Sequence, residues 1–120
     1  MEQVWFAGVH TNVGGGYRDS GLSDVAFLWL KDKAEACGLA FDQEHIARTL
    51  APNPLGELRD SRSGFYETFP EAVRPIGEKR TGNEAVHRSA VDRMEQASNP
   101  AYRPPNLVSY LQNGGTVTPY

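Results

Sequence analysis

The chain opens on Val4-Trp5-Phe6-Ala7-Gly8-Val9, an apolar run rich in β-branched and aromatic residues, and turns abruptly polar at His10-Thr11-Asn12-Val13-Gly14-Gly15-Gly16-Tyr17. A half-exposed strand alternates apolar and polar positions. This run does not, so it predicts a strand covered on both faces in a mostly parallel sheet, followed by a glycine-rich loop. A helix from about Asp24 to Cys37 comes next, with Ser23 as N-cap, Asp24 in the first turn and Gly38 just past the end. Leu22, Ala26, Trp29, Leu30 and Cys37 recur at helical spacing and predict a face buried against the sheet. Lys31, Asp32 and Glu35 fall on the water side, and Lys33 lies at the stripe's edge. A shorter helix is predicted from Gln43 to Leu50, capped by Asp42 and stopped by Pro52.

From Ala51 to Thr81 the pattern is irregular, with Pro52, Pro54, Pro70 and Pro75 and glycines 56, 64 and 77 between short apolar pieces such as Phe65-Tyr66 and Phe69. Structureless loops beyond about 15 residues are usually functional or only partly ordered. Asn83 then caps a third predicted helix, Glu84 to about Ala97, whose Val86, Ala90, Met94 and Ala97 form a narrow helical stripe. Asn99-Pro100, Pro104-Pro105 and Gly114-Gly115 punctuate the remainder, where Leu107 to Leu111 reads as one short strand or a turn. No internal repeat or low-complexity block is present.

Composition narrows the picture. The 120 residues suit one domain, 1–120, with a modest core, and a formal charge of −3 sets 12 Lys and Arg against 15 Asp and Glu. The apolar runs Val4–Val9 and Val25–Leu30 fall far short of the roughly 18 residues that a membrane-spanning helix requires. Met1-Glu2-Gln3 opens no signal peptide, so the reading is a chain cytoplasmic in the producing cell. Cys37 is the only cysteine, which excludes an internal disulfide. His45 and His87 have neither a His-Glu-x-x-His frame nor a paired spacing suited to zinc, so neither a metal site nor a cofactor is expected. Between Glu71 and Arg103 six Lys or Arg are balanced by five Asp or Glu, which argues against a nucleic-acid footprint.

The informative constellation is His10 at the end of the predicted strand, followed by Gly14, Gly15 and Gly16 and then a helix. Ligands in open α/β sheets bind at the carboxyl ends of strands. An imidazole placed there can act as general base, with a reference pKa of about 6.5. The glycine run lets backbone turn sharply and pass close to a site. A P-loop is excluded because no Lys follows these glycines before Lys31, and a dinucleotide fingerprint is excluded by Asp19 where its last Gly belongs. A lone histidine after a strand is more often structural than catalytic, and further groups are needed before a reaction can be assigned. Tyr66, Phe69 and Tyr102 read as aromatics that pin loops to a core rather than as ligand platforms.

The run Val4 to Tyr17, followed by Gly21-Leu22-Ser23-Asp24, resembles the C-terminal portion of the α/β-hydrolase family that contains the type VI secretion phospholipase effectors, a Tle-type lipase catalytic domain. The likeness continues in Arg74-Pro75-Ile76-Gly77, Val86-His87-Arg88-Ser89-Ala90-Val91 and Tyr102-Arg103-Pro104-Pro105-Asn106-Leu107. It implies ester hydrolysis by a serine, a carboxylate and a histidine, with the motif's histidine on His10, a lipid or ester substrate, and type VI export. Family members often carry Asp where this chain has Asn12, but Asn still bonds loop amides and tolerates a left-handed backbone. At His87 the likeness suggests a structural or partner contact, with no proton-transfer partner in its setting.

The triad order along such chains is Ser, then Asp or Glu, then His, and no Gly-x-Ser-x-Gly occurs here; Ser23, Ser61 and Ser63 sit on no nucleophile elbow. The reading is therefore an α/β fold with an incomplete sheet: one buried-type strand, about three helices and long loops. It carries the catalytic histidine His10 and a loop shaped by Asn12, Gly14, Gly15 and Gly16. Such a chain is inert alone and acts with an N-terminal hydrolase half or by self-association. The alternative is a noncatalytic interaction module or gene remnant that binds a partner through an exposed sheet edge.

Overall fold

The computed structural model describes residues 2–60, 73–77 and 82–120. In chain order the elements are β1 (Gln3–Trp5), α1 (His10–Gly14), α2 (Gly21–Ala36), α3 (Gln43–Thr49), β2 (Glu84–His87), α4 (Arg88–Gln96), α5 (Pro105–Gln112) and β3 (Val117–Thr118). They fall into two compact units, Met1–Phe6 with Asp60–Tyr120, and Ala7–Arg59.

The first unit is built on a three-stranded parallel sheet in the order β1-β2-β3. Mixed helices and a parallel sheet agree with the α/β reading, but with more elements than the sequence pattern suggests. In register, Gln3, Val4 and Trp5 pair with Glu84, Ala85 and Val86, and Val86 and His87 pair with Val117 and Thr118. All four residues of β2 are buried. A central parallel strand is covered on its faces and paired on both edges, so even its Glu84 and His87 must find partners inside. Glu84 Oε2 accepts from the Gly77 amide at 2.7 Å and from Trp5 Nε1 at 3.3 Å. Tyr110 of α5 braces the same strand: its hydroxyl donates to Glu84 O at 2.9 Å and accepts from the Thr116 amide at 2.9 Å. A Cβ at Gly115 would overlap the Tyr110 ring, so the close approach there requires glycine. α4 packs on β2, and Ala85, Val86, Ala90, Val91 and Leu107 form the apolar core.

The second unit is helical. α2 packs on α1, burying Leu22, Val25 and Ala26. Buried Asp24 ties the start of α2 to the segment after α3, its Oδ2 accepting from Ser20 Oγ at 2.9 Å and from the Ala51 amide at 2.9 Å. Asp19 does the same beside it, taking the amides of Gly21 at 3.0 Å and Glu57 at 3.2 Å. α3 starts where the sequence predicts, with Asp42 Oδ1 accepting from the His45 amide at 2.9 Å.

Several expectations are corrected. The predicted strand Val4–Val9 is only Gln3–Trp5, at the sheet's edge and half-buried rather than covered. Gly8, at φ +118°, breaks the extended run. The predicted loop after it is in part a helix, α1, and the glycines with positive φ are Gly15 and Gly16 while Gly14 stays helical. α2 begins earlier than predicted, with Ser20 rather than Ser23 at the N-cap, and Leu30 and Cys37 of the supposed buried stripe are exposed. Lys31, expected in open water, is half-buried and bridges Asp32 and Glu35 at 3.1 and 2.8 Å.

The helix predicted from Glu84 is a strand up to His87, because its first turn is claimed by two sheet neighbours; the helix starts at Arg88 with His87, not Asn83, as cap. Leu107–Leu111 is neither strand nor turn but part of α5, entered through Pro105 in its first turn, where the missing amide costs nothing. The expectations for Tyr66, Phe69, Ser61 and Ser63 lie outside the described residues. Tyr102 is half-buried with the Arg93 guanidinium 5.5 Å from its ring, and burial pushes its hydroxyl pKa up despite that positive charge. Among the described residues no helix is long and apolar enough to cross a membrane.

Candidate functional site

The glycine-rich motif is held from within. Asn12, on the third position of α1, is 2% exposed; its Oδ1 accepts from the Val9 amide at 3.3 Å and its Nδ2 donates to Glu57 O at 3.0 Å. One side chain thus caps the entry of α1 and fastens the motif to the 53–57 turn. Gly8 makes this fit: a Cβ there would collide with the Asn12 side chain, and its positive φ bars other residues. Past the helix, Gly15 and Gly16 at φ +87° and +116° reverse the chain toward α2.

His10 stands on this clamp as the first residue of α1. It is exposed, and its ring makes no hydrogen bond or ion pair with the described residues. A solvent-facing imidazole on a rigid backbone can accept and return a proton. The acidic side chains near it in sequence, Asp19 and Asp24, are engaged by backbone amides and Ser20, and Ser23 Oγ donates to Ser20 O at 2.9 Å. No serine or carboxylate among the described residues hydrogen-bonds the His10 ring. Nor does any group of His, Cys, Asp and Glu among them have the arrangement to hold a metal ion.

At His87, where the sequence likeness suggests a structural or partner contact, sequence reasoning missed the polar partner of the ring. His87 ends β2 and caps α4, and it is 1% exposed. Its Nδ1 lies 3.2 Å from the Ser89 amide and 2.8 Å from Ser89 Oγ. An amide can only donate, so Nδ1 is the acceptor and the ring proton sits on Nε2. Ser89 therefore supplies the proton partner that the sequence did not reveal. Phe6 stacks on the ring at 4.6 Å between centroids, and Tyr120 meets it edge-on at 5.2 Å. Burial lowers the imidazole pKa, and the negative charge of Asp92 offsets part of that. Asp92 itself accepts from Tyr120 at 2.7 Å and from Arg88 Nε at 2.6 Å. The signal that could have found this site is the His-x-Ser spacing at a strand-to-helix junction, where a side chain that accepts the second amide is a recurrent cap.

Comparison with known proteins bears on the first site. Residues 1–33 match the family described as type VI secretion system phospholipase effector Tle1-like, catalytic domain. The matched stretch holds β1, α1 and most of α2, so it contains His10, Asn12 and the three glycines; Arg74–Gly77, Val86–Val91 and Tyr102–Leu107 lie beyond it. No curated protein and no solved structure matches the chain.

Proposed function

We propose that this chain is the histidine-bearing, C-terminal part of an α/β-hydrolase-like serine enzyme that cleaves carboxylic esters of the phospholipid type. The observation that carries the reading is the family match over residues 1–33, which covers His10 and its glycine run. In this reading His10 is the general base. It takes the proton of a serine hydroxyl as the oxygen attacks the acyl carbonyl, then returns it to the leaving alcohol; a water repeats the sequence to free the acid. Asn12 and Gly14, Gly15 and Gly16 shape the backbone beside it. The serine and the carboxylate come from residues outside these 120, in an N-terminal hydrolase half, because no Gly-x-Ser-x-Gly lies within them. The chain alone is inert. The same family match supports, as part of this proposal, type VI export from the producing cell.

The test is to co-express the chain with the polypeptide encoded by the adjoining upstream frame and assay hydrolysis of a phospholipid and a chromogenic ester. The expected result is activity in the pair alone, lost in His10→Ala. Full activity in that variant, or an upstream frame without a nucleophile elbow, overturns the reading. One observation favours a second reading, strand-mediated binding without catalysis: β1 lies at the edge of a parallel sheet, a position open to strand addition. A well-behaved complex with a partner and no hydrolysis in any pairing would select it.

A further inference from the structure

Among the described residues His87 is one of the two most deeply buried large side chains, together with Val86, and it is a titratable group on the central strand. Its surroundings come from three directions. Phe6, just beyond β1, covers one face of the ring and brings no charge. α4 brings Ser89 onto Nδ1 and places Asp92 and Arg88 nearby, with Arg88 bridging Asp92 and Glu95. The segment after β3 brings Tyr120, whose ring touches the imidazole edge-on while its hydroxyl donates to Asp92 Oδ2. β3 is only two residues long, and Val117 and Tyr120 are 36% and 64% exposed. So short a strand is weakly held by its ladder alone; its side-chain anchors are the ring and hydroxyl of Tyr120 and the long bond that Thr118 Oγ1 donates to Val86 O at 3.5 Å.

We propose that His87 and Tyr120 form an acid-released latch that keeps Val117–Tyr120 against β2 when the imidazole is neutral and lets the segment go when the imidazole is protonated. A proton added at Nδ1 turns its only acceptor into a donor. The Ser89 amide then faces another N–H, and the Ser89 hydroxyl must turn round to accept. The new charge also lies in a slot with almost no water, where it is costly unless water enters. Asp92 softens that cost but is already engaged by Arg88 and Tyr120. The least anchored neighbour is the one to yield, and displacing Val117–Tyr120 lets water reach the ring. Release uncovers the β2 edge at Val86 and His87.

The experiment follows two signals in the full chain between pH 7.5 and 5: the His87 ring resonance, and amide hydrogen exchange over 117–120 corrected for its intrinsic pH dependence. The expected result is opening of the segment with the same midpoint as the His87 titration, the corrected exchange rate rising about tenfold per pH unit as pH falls toward that midpoint and levelling off below it. His87→Asn keeps an N-cap acceptor and removes the titration along with the ring contact, so exchange over 117–120 should lose its pH dependence whatever its absolute level. The latch is refuted by a segment that remains protected after His87 is protonated, or that opens while His87 is neutral. An equal pH dependence in His87→Asn refutes it too. Should that variant fail to fold, disagreement between the two wild-type midpoints is decisive.

Discussion

Two histidines follow two strands of one parallel sheet, and they have opposite fates. His10 comes after an edge strand and a glycine, opens a five-residue helix, and presents an exposed ring that makes no bond with the described residues. His87 ends the central strand, where pairing on both edges and cover on both faces leave no route to water. The same side chain is thus a candidate proton carrier in one place and a structural acceptor in the other. What separates them is the company each keeps. A buried imidazole must be satisfied by protein groups, so it becomes part of the fold; an exposed one is free for chemistry supplied from elsewhere.

The sharpest way to break this comparison is to truncate each ring. His10→Ala should cut ester hydrolysis by the reconstituted pair by about 10⁴-fold, as loss of a triad member does, while shifting stability by less than about 0.5 kcal/mol. Kinetics and thermal unfolding of the same preparation check both halves. His87→Ala should do the reverse, costing about 3 kcal/mol through the emptied aromatic slot and the lost helix cap. A large activity loss in a stably folded His87→Ala chain would place catalysis at the wrong histidine.

A smaller effect is expected at the clamp under His10. Asn12→Asp restores the acid common in the resembling family but cannot donate to Glu57 O, so it should destabilise the chain by about 1–3 kcal/mol, measured by urea unfolding. Unchanged stability would mean that the carboxylate finds another donor and that the clamp is not what holds α1. The smallest effect is that of pH on the intact protein. Since the folded state lowers the His87 pKa, the unfolded chain takes up the proton first, and the stability due to neutral His87 is complete above about pH 6.5. It should fall as pH drops below that value toward the folded-state pKa, by at most about 1.4 kcal/mol per pH unit. His87→Asn should remove that slope in denaturant titrations run at several pH values.

Elements marked by local chemistry were readable before any coordinates. α3 begins at Asp42 because an aspartate side chain bonds the third amide after it, and that signal needs nothing distant. α2 was legible in its body, though not at its cap. Ser23 and Ser20 are both good N-cap residues, and the choice fell to Ser20 once Asp19 took the Gly21 amide and Asp24 reached Ala51. The β2–α4 junction was not readable. Val86, Ala90 and Met94 keep a four-residue spacing that fits one continuous helix, and only Gln3–Trp5 and Val117–Thr118, remote in sequence, hold Glu84–His87 extended. The same limit hid Ser89 from His87: a helix through both would not have made His87 the cap that accepts the Ser89 amide.

Residue order alone therefore determined the start of α3, the body of α2, a mixed helix-and-strand composition compatible with an α/β class, the missing nucleophile elbow and the glycine-rich motif after His10. Each of these rests on groups within a few positions of one another, or on a residue type being present or absent. Burial was decided by the assembled fold, which made β2 the central strand, left β1 at the rim, closed Tyr120 over His87 and turned Asn12 inward. Pairing between segments some 80 residues apart depends on which surfaces meet, and no local pattern encodes that meeting.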